Sequence, residues 1–485
     1  MATTNNQIDN GLTPWWIPTF LMLLLLGFGA AYLAGSLPSP FAGVFQLVIP
    51  VGIVACILAF GQGAKRLRHL AMRLCWWHGL WLLLFVSGLV FRARGLEDIR
   101  KTPVDPWAAF RIVLVFATAL VLIARLVLRK TDWLLSLFHG LAGALAIYAL
   151  VCGVSTLWSL YPAWTFYKAI EYSIEVALLA GILVSVRSPD EWKTLCDWTW
   201  VLVGCISLTV WIGVAIWPTQ AFVEGSDLLP GRLAGVFPAM DPNTVGEDAA
   251  VLGIIALARL LAPARQKRGG TFYIVLLAYA LVTLVFAQTR SAIIGFLLGT
   301  GLVFFSAKRR GMLTAFVVGA ALLFSFTTAS ETAGTFWQRN ERPEYIQSVT
   351  GRLPVWEAAW KLIKERPFLG YGAYAAGRFG VLTSPEESEW SSVLNTYVEV
   401  AVGTGILGLA PLLVALLGTW WILIRASSRL SSKPLYHQLA TEGLGVLSIV
   451  TVRSFATVQL MWHPALVFLV VLGYAEFLRR RLTLV

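Results

Sequence analysis

Apolar stretches long enough to cross a bilayer recur from one end of the chain to the other, and this limits the fold more than any other feature. Lipid offers no partner for backbone N–H or C=O groups, so a run of roughly 17–25 apolar residues crosses it as a helix. Such runs fall near residues 14–35, 41–62, 70–91, 107–128, 133–157, 165–186, 195–217, 244–262, 271–288, 290–306, 311–328, 394–424, 438–458 and 462–478. They predict an all-α polytopic membrane protein with about 14 transmembrane helices, and 12 at the fewest. Composition agrees: 58% of the 485 residues are hydrophobic and 13% charged, against roughly 25% charged in an average soluble domain. Soluble enzymes and nucleic-acid binders are therefore excluded, and no nucleic-acid partner is expected.

Orientation follows from Lys and Arg, which accumulate in cytoplasmic loops. Every second loop is basic: Lys65, Arg66 and Arg68; Arg129 and Lys130; Arg187 and Lys193; Arg265, Lys267 and Arg268; Lys308, Arg309 and Arg310; Arg425, Arg429 and Lys433; then Arg479, Arg480 and Arg481 near the C-terminus. Both termini are expected in the cytoplasm, with Arg92, Arg94, Arg100 and Lys101 on the wrong side. The start, MATTNNQIDNGLTPWW, has no basic n-region, so the first helix is expected to stay. Cys56, Cys75, Cys152, Cys196 and Cys205 lack metal-binding or disulfide spacing and read as small buried hydrophobes. The chain divides into an N-terminal transmembrane bundle, 1–328, a long outer loop, 329–393, and C-terminal transmembrane helices, 394–485.

That outer loop contains TGRLPVWEAAWKLIKERPFLGYG, residues 350–372, where Trp356, Trp360 and Ile363 recur at helical spacing with Glu357, Lys361 and Lys364 off the stripe. A short amphipathic helix is predicted, started by Pro354 and ended by Pro367, lying on the membrane surface or over a cavity. Three outer arginines are harder to dismiss as anchors: Arg232 in PGRLAGVFPAMDPNTVG, Arg290 in AQTRSAIIG and Arg352 after Gly351. A guanidinium at membrane depth is costly and presents a fork suited to phosphate oxygens, so the trio predicts a pocket for a phosphorylated amphiphile. The competing reading has each arginine snorkel or pair with Asp241, Glu247 or Asp248. Lys168, Glu171 and Glu175 share one face of the sixth span, either as an ion-pair ladder or as polar lining of the same cavity.

The motifs STLWSLYPAWTFYKAIEY, GRLAGVFPAMDPNTVG, QTRSAIIG, GRLPVWEAAWKLIKERPFLGYGAY and LNTYVEVAVGTGILGL occur in that order between about residues 150 and 425. In this order the chain resembles the O-antigen ligase and polysaccharide polymerase superfamily of bacterial inner-membrane glycosyltransferases. The resemblance implies transfer of a glycan from a polyprenyl-diphosphate-linked oligosaccharide to an acceptor glycan hydroxyl at the periplasmic face, without metal, cofactor or nucleotide sugar. It implies that Arg290 and Arg352 hold the diphosphate with Arg232 in addition, and that Asn243, Trp356, Tyr371, Asn395 and Tyr397 contact substrate. The pattern departs from the superfamily in two places. Leu394-Asn395 stands where a His-Asn pair is common, and Gly403 where a glutamate is often found. Replacement bases on the outer side are Glu386, Glu387, Glu389, Glu399 and His463; Glu389 and Glu399 are carried forward as catalytic candidates, whereas His69, His78, His139 and His437 lie on the cytoplasmic side or within spans.

The missing histidine tilts the reading toward a polymerase of an O-antigen or exopolysaccharide pathway, with a ligase acting on lipid A-core as the alternative. A flippase and a chain-length regulator are then the expected pathway partners. Two rivals come from other classes. A lipid-linked oligosaccharide flippase is disfavoured by the absence of two similar halves, and a non-catalytic scaffold is kept alive by the lost histidine.

Overall fold

Helices make up nearly every part of the computed structural model, which describes residues 73–89, 106–129, 132–223, 231–262, 270–325, 334–338, 352–375, 392–461 and 465–482, with Gly63, Leu67, Leu70, Ala71 and Leu229 besides. The helices are α1 Trp76–Ser87, α2 Pro106–Arg129, α3 Gly140–Val154, α4 Pro162–Ser185, α5 Pro189–Ile216, α6 Pro242–Leu260, α7 Gly270–Ala287, α8 Arg290–Ser306, α9 Arg310–Ser325, α10 Arg352–Glu365, α11 Thr396–Arg429, α12 Pro434–Ser454 and α13 Ala465–Leu482. Five of these helices begin on a proline, where the missing N–H costs nothing because the first turn has no intrahelical acceptor. Two-residue strands, β1 Phe222–Val223 and β2 Arg232–Leu233, pair antiparallel in a detail that hydropathy did not foresee.

The expected spans at 14–35 and 41–62 lie outside the described residues; each of the others coincides with a described helix. Five helices are long and apolar enough to cross a membrane: Pro106–Leu128, Gly140–Trp158, Pro189–Ile216, Gly270–Ala287 and Thr396–Arg429. The protein is thus a multi-pass, all-α membrane protein. Apolar side chains stand outward on α2, with Val113, Leu120 and Val127 all more than 60% exposed, an arrangement that lipid solvates and water does not. Central helices show the opposite pattern. Residues 438–450 of α12 and 465–478 of α13 are buried all round, as expected of helices apolar on every face and enclosed by others.

Because successive helices run up and down, one end of the bundle gathers the ends of α2, α4, α8 and α11 and the starts of α3, α5 and α9, and with them Arg129, Arg187, Lys193, Arg309, Arg310, Arg425 and Arg429. Here Arg259 of α6 donates through Nε and Nη2 to the Glu442 carboxylate of α12 at 2.9 and 3.0 Å, and its Nη2 lies 2.6 Å from Asp197 of α5. Lys193 also pairs with Asp197. Removing one partner of a buried ion network leaves uncompensated charge, at about 3–5 kcal/mol. Arg259→Leu should therefore lower the melting temperature of the purified protein sharply; an unchanged transition would mean that the carboxylates do not depend on it.

Candidate functional site

At the opposite end of the bundle the starts of α4, α6, α8 and α11 meet the ends of α5, α7 and α12. Arg232 arrives on β2, paired with Val223, and its Nη2 donates to Asn243 Oδ1 at 3.2 Å in the first turn of α6. Asp241 starts that helix by accepting from the Asn243 and Thr244 amides at 2.7 and 2.9 Å, so its carboxylate serves as a cap. The turn between α7 and α8 locks onto both motifs. Gln288 Nε2 donates to Gly231 O at 2.9 Å, and Thr289 Oγ1 to Pro242 O at 2.7 Å. Arg290, the first residue of α8, is partly buried; it donates to the carbonyls of Trp337 and Gln338 at 2.7 and 3.2 Å and lies over the Trp337 ring. Arg232 and Arg290 are thus tied to one turn.

Next to Arg290 sits a buried polar hub. Arg453, 2% exposed near the end of α12, donates from Nε to Glu247 Oε2 of α6 at 3.2 Å and from Nη1 to Ser291 Oγ of α8 at 3.0 Å. Gln459 Nε2 also donates to Glu247, while its backbone N–H donates to Thr396 Oγ1 at 2.8 Å. Thr396 is the first residue of α11, so a bonded path runs from α8 through α12 and α6 to α11.

Asn395 caps α11, accepting from the Tyr397 and Val398 amides at 3.0 and 3.2 Å. Before it, Leu394 sits at φ +53°, in the left-handed region that bulky residues rarely adopt. Glu399, 2% exposed, accepts from the Val393 amide at 2.9 Å, and Trp356 Nε1 of α10 donates to the Val393 carbonyl at 3.0 Å. Arg352 lies four residues before Trp356, hence on the same face of α10 one turn closer to its start. Tyr397 packs against Phe455 with ring centroids 4.7 Å apart and the ring planes tilted by 52°.

The expected amphipathic helix is present as α10, but its buried face is one residue away from the predicted stripe. Val355 and Ala359 pack on Tyr371, Val393 and Val402, whereas Trp360 is 57% exposed. Trp356 and Ile363 of the expected stripe flank that face and pack against the same cluster, so of the three only Trp360 turns outward.

The glycine-rich run after α10 wedges into α11, which is not one continuous helix. Gly405 has φ +60° and ψ −157°, which breaks the helix, and the freed groups are taken up by the loop. Tyr371 N donates to Val402 O at 3.0 Å, Gly372 N to Gly403 O at 2.8 Å, and Ile406 N to Pro367 O at 2.9 Å. Broken helices persist at membrane depth only when protein satisfies the backbone in this way. The other edge of the wedge is sewn to the first turn of α4 and the segment before it: Thr165 Oγ1 donates to Ala373 O at 2.8 Å, Trp164 Nε1 to Tyr374 O at 3.2 Å, and the Ala373 amide to Ser155 Oγ at 3.0 Å. A Cβ at Gly403 would sit 3.2 Å from Gly372 O and 3.3 Å from Ala373 Cα, so a glutamate there would have to displace the wedge. The Tyr371 hydroxyl donates to Glu365 at 2.6 Å; burial and that carboxylate push the phenol above its ordinary pKa, so it stays a donor.

On α4, Lys168 pairs with Glu171 at 2.5 Å in a buried ion pair, to which Tyr167 adds a hydrogen bond at 3.2 Å. Lys168 also faces the Trp164 and Tyr167 rings, so these two residues take the ion-pair arrangement; Glu175 is buried on the same helix.

Of the predicted site residues, Arg232, Asn243, Arg290, Asn395, Tyr397 and Glu399 stand at this end, with Arg352, Trp356 and Tyr371 joined to it through α10 and the wedge. Glu386, Glu387, Glu389 and His463 lie outside the described residues. Sequence reasoning missed Arg453, Gln459, Ser291 and Thr396. An arginine inside the apolar run LSIVTVRSF was signal enough, since ionisable groups at membrane depth are costly unless paired.

Residues 274–413 match the family model described as O-Antigen ligase. The match takes in the Arg290 turn, α10, the wedge and the broken part of α11. No curated protein matches the chain.

Proposed function

We propose, from the premise that residues 274–413 are an O-antigen ligase domain and the chain one of the O-antigen ligase and polymerase superfamily, that this protein is a polysaccharide polymerase. Its donor is a polyprenyl-diphosphate-linked oligosaccharide and its acceptor a sugar hydroxyl of another glycan. The observation that carries the reading is the bonded path tying Arg232, Arg290 and the start of α11 to one end of the bundle, with Arg352 on the helix packed against that start. As the glycosidic bond breaks, negative charge grows on the departing diphosphate, and guanidinium groups already in place stabilise it without reorganising. The acceptor attacks from the opposite face, inverting the sugar carbon, and passes its proton to a carboxylate. Asn243, Trp356, Tyr371, Asn395 and Tyr397 form the walls that orient the two glycans.

In this reading the protein lies in a bacterial inner membrane with about 14 spans, both termini cytoplasmic and the arginine end periplasmic. Residues 329–393 form the loop between the bundle of 1–328 and the helices of 394–485. No metal or cofactor takes part, and a flippase and a chain-length regulator serve the same pathway.

Glu399 and Glu389 are the proton acceptors proposed, and Glu399 is the one with described geometry. Glu399→Gln keeps an oxygen for the Val393 amide while removing the charge, so kcat should fall about 100-fold with the fold intact. Activity within threefold of wild type would assign the base elsewhere.

A ligase shares this donor chemistry, and the family match accommodates either reading. Purified protein in vesicles with lipid-linked repeat units separates the readings. Longer glycans on the lipid support polymerase, and transfer only onto added lipid A-core supports ligase. Movement across the bilayer without bond formation indicates a flippase, and binding alone a scaffold.

A further inference from the structure

Arg453 has no place in the reaction just described, yet it is 2% exposed, charged and deep in a membrane protein. Such a residue is retained at a cost unless it is paired and hydrogen-bonded. Its two bonding directions are informative. Nε faces Glu247 on α6, and Nη1 reaches Ser291 on α8, the residue after Arg290. The Glu247 carboxylate is in turn shared with Gln459, whose amide holds Thr396 at the start of α11.

Two of the helices that start beside the proposed reaction centre are therefore fixed to one ion pair: α8, which begins with Arg290, and α11, which is capped by Asn395 and carries Glu399. The planar guanidinium suits this task because its donors leave in fixed directions toward different partners.

We propose that Arg453, with Glu247 as its counter-ion, is a positioning residue that sets the register of Arg290 through Ser291 and holds the donor-side helix to the acceptor-side helix through Gln459. The proposal rests on Arg290 acting on the donor diphosphate. A displacement of up to about 1 Å in a group that acts in the transition state lowers the rate by about ten- to a hundredfold while changing ground-state binding far less.

The test is a double-mutant cycle on purified full-length protein, measuring kcat and KM for a lipid-linked repeat unit. Ser291→Ala removes only the link from Arg453 to α8 and leaves the buried ion pair whole. It should lower kcat about tenfold with KM within twofold, and Ser291→Thr, which keeps the hydroxyl, should restore it. In an Arg290→Lys background the same Ser291→Ala change should cost less than twofold more, because the group it positions is already compromised. Arg453→Lys should follow Ser291→Ala; if it does not fold, the serine variants decide alone. An equal factor in both backgrounds, or an unaltered kcat for Ser291→Ala, overturns the positioning role while leaving the diphosphate reading intact. Wild-type kinetics for Arg290→Lys and Arg290→Ala alike overturn both together.

Discussion

Arg290→Ala and Arg352→Ala should each abolish measurable chain growth from a lipid-linked donor while the proteins still insert and purify at wild-type yield. Loss of one preorganised donor to a developing anion costs about 10²–10³ in rate, and removing both guanidinium groups compounds it. Insertion is spared because neither residue contributes to the apolar surface that drives it: Arg290 opens α8 and Arg352 opens α10. Lysine variants should recover part of the loss, since a point charge attracts diphosphate but lacks the two-pronged geometry. The assay is glycan length on gels after fixed time with equal amounts of folded protein. Wild-type rates from both alanine variants would remove these residues from the reaction.

The second large effect falls on Gly405. Its φ of +60° with ψ of −157° belongs to a region essentially open only to glycine, and a Cβ there would stand 2.3 Å from the Phe368 carbonyl carbon. Gly405→Ala must either rebuild α11 as a continuous helix and expel the wedge or distort both. Expulsion would leave the Tyr371 and Gly372 amides without the Val402 and Gly403 carbonyls they now use. The cost should exceed about 3 kcal/mol, from backbone strain plus unsatisfied polar groups, and appear as a collapsed yield of monodisperse protein. Gly301→Ala in α8 is the control, because a Cβ there meets nothing within 4 Å; it should be neutral or slightly stabilising. A Gly405→Ala protein that melts like Gly301→Ala would show that the break in α11 is dispensable.

The contrast between these glycines shows what could be read in the chain. Hydropathy located the helices well: the expected span at 290–306 is α8, Arg290–Ser306, and that at 271–288 is α7, Gly270–Ala287. Length and polarity are local properties, and lipid enforces them. The run 394–424 also read as one uninterrupted span, because its apolar content is the same on both sides of Gly405. The break exists through partners more than thirty residues away, and no periodicity within the run encodes them. At 34 residues α11 would extend about 50 Å if straight, well beyond a hydrocarbon thickness of about 30 Å; the excess length was a signal that went unused. The segment after α10 is glycine-rich inside an apolar chain. Its carbonyls and amides complete a broken helix, and its glycines let backbone approach backbone.

The site divides in the same way. Arg232, Arg290 and Arg352 stood out in the sequence because each is an arginine beside glycine or small residues in an outer segment, and Asn395 through the resemblance, where Leu394-Asn395 takes the place of a His-Asn pair. The hub of Arg453, Glu247 and Gln459 was not assembled from sequence, since its members lie about 200 residues apart and meet only through the packing of α6 against α12. Glu247 had been weighed as a partner for the outer arginines; its described ion-pair partner is Arg453. The replacement of the usual histidine by Leu394 is likewise more than a lost base. At φ +53° this position presses any side chain into a strained backbone, and the helix cap beside it is kept by Asn395.

Guanidinium groups at one end of the bundle grip the donor's diphosphate in this mechanism, and donor affinity tests that most directly. Binding of a polyprenyl-diphosphate-linked repeat unit to the purified protein should weaken at least tenfold in Arg290→Ala and in Arg352→Ala at low salt, with wild-type affinity falling and the gap to the variants narrowing as salt is raised. Affinities equal to wild type in both variants, at low and high salt alike, would contradict it.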